Sequence, residues 1–141
     1  MKRNIKTIAV LLVALVASIF YVHAESNPYK NLDSKEVILH YTGATLLGNS
    51  TYSKYLLAED FEYRNTANND THNKKEFIKH LNTVKDLKYN STQTVEIIDQ
   101  EGNTALGKIT MDFGTFKRVD YITMIQSTDG WKISKVVTTY P

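Results

Sequence analysis

The chain has 141 residues, with 17 Lys and Arg against 15 Asp and Glu and no cysteine. That length fits one domain, and the lack of cysteine excludes disulfides, thiolate catalysis, cysteine metal sites and anchoring through a lipoprotein cysteine. Without Lys2, Arg3 and Lys6, 14 basic side chains face 15 acidic ones, so no basic field for nucleic acid remains.

Met1 to Ala24 has the three parts of a secretory signal: basic Lys2, Arg3 and Lys6, an apolar run from Ile8 to Val22, and the small-residue ending Val22-His23-Ala24. The run is short of the roughly 20 residues that span a bilayer. The expectation is therefore a cleaved signal over 1–24 and an exported domain over 25–141, periplasmic or secreted, with no membrane contact once the signal is gone.

Glu25 to Leu32 reads as a loose leader. Asp33 with Glu36 is a capping-box pair, and Val37, Ile38, Tyr41, Ala44 and Thr45 fall at helical spacing, which predicts a helix from Asp33 to about Gly48. A short helix over Thr51 to Leu57 and a strand over Phe61 to Arg64 follow. Asn65 to Asn73 is polar and reads as a loop. Asn73 and Glu76 repeat the capping box ahead of a third helix that carries Phe77, Ile78, Leu81 and Val84. From Tyr89 onward the period is two, enough for four antiparallel strands. Helices and strands segregated in this way predict an α+β fold, with the helices packed on one face of the sheet.

Gln100-Glu101-Gly102 and Thr128-Asp129-Gly130 each suit a three-residue hairpin loop closed by glycine, and Gly114-Thr115-Phe116 supplies a third. These loops set a register that pairs Ile109 with Tyr121 and Met111 with Val119. One face then collects Ser91, Gln93, Val95, Ile97, Ala105, Gly107, Ile109, Met111, Phe113, Val119, Tyr121, Thr123, Ile125, Trp131, Ile133, Lys135 and Val137. Polar groups among large apolar ones, with a gap at Gly107, form a candidate pocket. The opposite face collects Leu106, Ile122, Met124 and Val136, an apolar patch suited to a homodimer.

Catalytic signatures are few. His40, His72 and His80 have no partner at metal-ligand spacing, and there is no HExxH, phosphate-binding glycine loop or Gly-x-Ser-x-Gly. Glu59 and Asp60 read as a solvated turn. Tyr41 and Tyr63 are expected to point inward, each with a hydrogen-bond partner. Lys135 is expected either to reach the rim of the sheet or to contact an anion. Three Asn-x-Ser/Thr triplets, at Asn49, Asn69 and Asn90, are ordinary in a chain this rich in those residues.

Several motifs carry a resemblance. They are Tyr41-Thr-Gly-Ala44, Ala58-Glu-Asp-Phe61, Lys75-Glu-Phe77, Gly102-Asn-Thr-Ala105 and Asp129-Gly-Trp-Lys-Ile-Ser-Lys135. The layout resembles the nuclear transport factor 2-like (NTF2-like) superfamily and, within it, the bacterial group labelled putative lumazine-binding. The resemblance implies a cone in which a strongly curved, mostly antiparallel sheet wraps three N-terminal helices around a cavity, often as a dimer. The superfamily includes ketosteroid isomerases, dehydratases and non-enzymatic binders. Against the isomerase pattern, Tyr41 falls at the oxyanion-donor tyrosine. The general-base carboxylate is replaced by Asn65, whose amide cannot accept a proton.

The sequence therefore points to a binding module for an unknown small molecule, without catalytic residues, metal or cofactor. Tyr41, Tyr63, Gln93, Met111, Tyr121 and Lys135 are the cavity candidates. The alternative is an isomerase or a dehydratase of the SnoaL-like type, with Tyr41 as donor and Asp60 or His80 as base.

Overall fold

The structure is a computed structural model described for residues 25–141; the expected signal, Met1–Ala24, lies outside the described residues. The elements are α1 (Ser34–Leu46), α2 (Ser53–Leu56), β1 (Leu57–Asn65), β2 (Thr71–Asn73), α3 (Lys74–Thr83), β3 (Thr92–Glu101), β4 (Thr104–Asp112), β5 (Lys117–Ser127) and β6 (Gly130–Thr139). They form an α+β domain whose curved six-stranded sheet runs in the order β2-β1-β6-β5-β4-β3. The sheet is mixed, because β1 and β6 run parallel while every other neighbouring pair is antiparallel.

Both capping boxes form. Asp33 Oδ1 accepts from Glu36 N at 2.8 Å while Glu36 Oε2 accepts from Asp33 N, also at 2.8 Å. Asn73 and Glu76 repeat the exchange at 3.0 and 2.9 Å. Each box satisfies donors that the first helical turn leaves free. The caps fix where α1 and α3 begin, so Val37, Ile38, Tyr41 and Ala44 of α1 and Phe77 and Leu81 of α3 are buried against the sheet. The loop expected between Asn65 and Asn73 contains β2, which pairs Thr71, His72 and Asn73 with β1.

The leader from Glu25 to Leu32 is strapped down rather than loose. Asn27 Nδ2 donates to Asp129 O at 2.8 Å, and the Tyr29 ring lies 4.5 Å from that of His40. Gly130 sits at φ +95° beneath this strap, where an added Cβ would be 2.5 Å from Lys30 O. Glycine is required there by both conformation and space.

The sheet register departs from expectation in a traceable way. Phe113 N donates to Phe116 O at 3.0 Å, so the β4–β5 turn holds only Gly114 and Thr115 and is one residue tighter than expected. Met111 therefore pairs with Arg118 and Ile109 with Asp120, and every side chain of β5 changes face. Asp120, Ile122 and Met124 point inward, fully buried, and Tyr121 and Ile125, both expected inside, point outward. The β5–β6 turn is also one residue tighter, with Ser127 opposite Gly130. The two shifts cancel for Trp131 and Ile133, which are buried as expected. A bulge at Ser134 then restores the expected pairing of Ile122 with Val136 but on the inverted face, so Val136 and Thr138 point in and Lys135 points out.

This overturns the dimer patch as drawn: Ile122, Met124 and Val136 are core residues with no exposed area, and Leu106 alone of the four stands on the outer face. The β3–β4 turn is Gly102-Asn103 rather than Gln100-Glu101-Gly102, with Glu101 opposite Thr104, and a bulge at Ile98 offsets the change of parity, so Val95 and Ile97 pack against the core as expected. Gly107 lies opposite Ile97, and Ile38 occupies the space its missing side chain leaves. That gap is filled by packing and is not a pocket.

Candidate ligand site around Arg118

The inverted face of β5 brings an ion pair into the interior. Arg118 Nε donates to Asp120 Oδ1 at 2.9 Å and Nη2 donates to Oδ2 at 2.7 Å, a two-point bond between residues adjacent on one strand face. Asp120 is fully buried, and it also accepts from Thr138 Oγ1 at 2.7 Å and from Tyr41 Oη at 3.1 Å. Four donors thus satisfy one carboxylate, which a buried charge requires.

Electrostatics follow from this cluster. Burial raises the Tyr41 phenol well above its usual range, and the Asp120 charge adds to the rise, so Tyr41 remains a neutral donor. Burial works to lower Arg118, but the Asp120 carboxylate beside it prevails and its pKa is raised; the guanidinium is permanently charged. Among the described residues no buried side-chain nitrogen or oxygen lacks a partner, and no acceptor bonds Arg118 Nη1. Nη1 is therefore open to the space in front of it.

That space consists of two adjoining hollows that share Thr45, His80, Val84, Arg118 and Tyr140. The smaller, about 240 Å³, continues past Tyr63, Asn65, Asp70, His72, Phe77 and Leu81. The larger, about 420 Å³, continues past Leu46, Tyr89, Phe113 and Phe116. An aromatic stack lines the first: Tyr63 lies 5.7 Å from His72 and 5.0 Å from Phe77, and His72 lies 6.1 Å from His80. Burial raises Tyr63. Burial against this stack lowers His80, and His72 and Arg118 lower it further. His80 is therefore neutral near pH 7, with a lone pair available as an acceptor.

Of the residues singled out from sequence, Tyr63 lines a hollow. Tyr41 lines neither hollow; it donates to Asp120, which stands between it and Arg118. Met111 is wholly buried in the core, and Gln93, opposite it on the edge strand β3, is exposed. Tyr121 and Lys135 stand on the outer face, the latter 3.3 Å from Glu62; the tight β4–β5 turn turned the first outward and the Ser134 bulge the second. Arg118, Asp120, Thr138 and Tyr140 went unnoticed, although charged Arg118 and Asp120 alternating through the apolar run from Phe116 to Ile125 were a visible signal.

Among the described residues no group of three or more metal-ligating side chains converges, and no helix is long and apolar enough to cross a membrane. A carboxylate does lie within hydrogen-bond reach of Tyr41, but Asp120 is already committed to Arg118 and Thr138.

Comparison with solved structures identifies the fold. An NTF2-like protein of unknown function from Silicibacter pomeroyi superposes with a TM-score of 0.62 at 13% identity, over 75% of this chain and 91% of that one. A ketosteroid isomerase-like protein from Erwinia carotovora atroseptica gives 0.62 at 11% identity, over 81% and 97%. A putative scytalone dehydratase from Novosphingobium aromaticivorans gives 0.58 at 11%, over 75% and 80%. No curated protein matches the chain. Residues 33–140, from the cap of α1 to just past β6, match the family described as putative lumazine-binding, and the chain belongs to that family, with an NTF2-like fold.

Proposed function

We propose that the protein is an exported domain that binds a small, partly apolar molecule in the hollows around Arg118. The observation that carries this reading is the guanidinium itself: Asp120 fixes two of its nitrogens, no acceptor among the described residues takes the third, and the side chain lines an aromatic-walled space. A preorganised donor in a concave, largely apolar setting orients a ligand at little entropic cost. Native mass spectrometry of protein taken from its own cell envelope tests this. A retained mass is expected, and Val84→Trp, which fills space common to both hollows, should abolish it. Bare protein from the wild type, with no small molecule recovered by extraction, would count against the reading.

Export rests on the tripartite segment Met1–Ala24. The mature chain is expected to begin at Glu25, and N-terminal sequencing that finds Met1 would remove the export step.

The proposed assembly is a homodimer through the outer face of the sheet, redrawn with Leu106, Tyr121 and Ile125. Tyr121 and Ile125 are 40% and 46% exposed, large for apolar side chains in the middle of a sheet. Tyr121→Lys should give a folded monomer by sedimentation, and a wild-type monomer at high micromolar concentration would exclude the dimer.

His80 supports a second reading, an isomerase or dehydratase working in the smaller hollow. Its pKa is lowered by burial, and it lines that space together with Asp70 and Tyr63. Under that reading His80→Gln removes turnover while leaving ligand retention intact; loss of retention alone supports the binding module.

A further inference from the structure

The two hollows around Arg118 differ in charge. Asp70 lines the smaller one, whereas among the described residues no carboxylate lines the larger, whose charged or basic groups are Arg118 and His80. The walls differ as well. In the larger hollow Phe113 and Phe116 stack with centroids 4.7 Å apart, and Tyr140 stands 6.2 Å from Phe116. Tyr89 comes from the α3–β3 connection, Phe116 from just ahead of β5 and Tyr140 from the chain beyond β6, yet all three line this one opening. They are 43%, 51% and 42% exposed, so they contribute little to the core and leave their faces available.

On the basis of the ligand-binding reading, we propose that the ligand is an aromatic monoanion of the aryl carboxylate type. Its acid group bonds Arg118 Nη1, and its ring rests against Phe116, Tyr89 and Tyr140. The anion preference comes from geometry. Asp120 takes Nε and Nη2, which leaves Nη1 for a ligand, and of the two hollows that Arg118 lines only the larger has no carboxylate among the described residues to compete. The ring preference comes from the walls, since aromatic faces gain from offset or edge contacts with another ring beyond the area they bury. An alkyl chain gains only the area term.

The test is calorimetric titration of the protein with 1-naphthoate, 1-naphthamide and decanoate, paired with amide chemical-shift mapping. The expectation is that 1-naphthoate binds about tenfold or more tighter than either comparison compound, the scale of one charged hydrogen bond. Shifts should centre on Phe116, Arg118 and Tyr140. Phe116→Ala and Tyr140→Ala should each weaken 1-naphthoate several-fold without lowering the melting temperature, because both side chains are exposed. Equal binding of 1-naphthamide overturns the anion preference, and equal binding of decanoate overturns the ring. Shifts confined to Asp70 and His72 place the ligand in the wrong hollow, and no binding of 1-naphthoate overturns the proposal outright. A retained cellular ligand lost in Val84→Trp, together with any of these four results, leaves the general binding reading standing and removes only this one.

Discussion

Arg118 and Asp120, two residues apart on β5, hold one another in a two-point ion pair beneath an otherwise apolar core. Such a pair is asymmetric in its energetics: breaking it by removing one partner costs far more than replacing both. Arg118→Met should destabilise the domain by about 3–5 kcal/mol, because Asp120 is then a buried charge with two hydroxyl partners only. The double variant Arg118→Met with Asp120→Asn should recover most of that loss. Urea denaturation of the three proteins measures it, and a double variant no more stable than Arg118→Met would show that the charge is not the cause.

The register makes neighbouring residues on β5 opposites. Met124 is fully buried while Ile125 is 46% exposed. Met124→Lys should therefore fail to fold or melt at a much lower temperature, as an unpaired buried ammonium does. Ile125→Lys should fold with stability close to the parent. Circular dichroism melting curves distinguish the two; the reverse order would mean that β5 is shifted by one residue.

Gly107 is predicted to resist even the smallest side chain. An added Cβ would fall far inside van der Waals contact with Ile38 Cδ1, and Ile38 is wholly buried. Gly107→Ala should cost about 1–3 kcal/mol by overpacking. Adding Ile38→Val, which removes the offending methyl, should return part of it. A non-additive double-mutant cycle verifies the contact.

His80 gives the protein a pH dependence whose sign can be worked out. The groups facing it are His72 on β2, Arg118 on β5, Tyr63 on β1, Tyr140 beyond β6, Tyr89 before β3, and Asp70 across the smaller hollow. Its folded pKa lies below the ordinary 6.5. As pH falls through 6.5 the unfolded chain takes up a proton that the folded chain still refuses, so stability falls until the folded pKa is passed. His80→Gln should flatten that stretch of the stability–pH curve. An aromatic anion in the larger hollow favours protonated His80, so its affinity should rise on acidification through the same window, with proton uptake on binding. Calorimetry in two buffers of different ionisation enthalpy reads that uptake, and proton release would contradict the placement of His80.

The sequence carried the helices plainly because their signals are local. Asp33 with Glu36 and Asn73 with Glu76 state where a helix starts, and Phe77 and Leu81 state which side it buries. The sheet was legible as strands but not as faces. Face depends on turn length, and one residue fewer at Gly114-Thr115 inverted all of β5 while the Ser134 bulge inverted the end of β6. Both changes are set by tertiary packing, not by the alternation within a strand. The site inherited that error. Tyr63 is legible because β1 does not depend on those turns, whereas Tyr121 and Lys135 stand in the reading where the structure puts Asp120 and Val136, their neighbours on the opposite face.

Arg118 closes the charge of a buried carboxylate, so folding preserves it whether or not anything is ever bound. A relative that has lost its ligand, or exchanged it for another, would keep this arginine for the sake of its core. A shared Arg118 is thus a sign of common architecture and says nothing of common cargo. Divergence of specificity is free to occur at Tyr89, Phe116 and Tyr140, where replacement leaves the core untouched, and it is the identity of those three rings that should sort members of the family by what they hold.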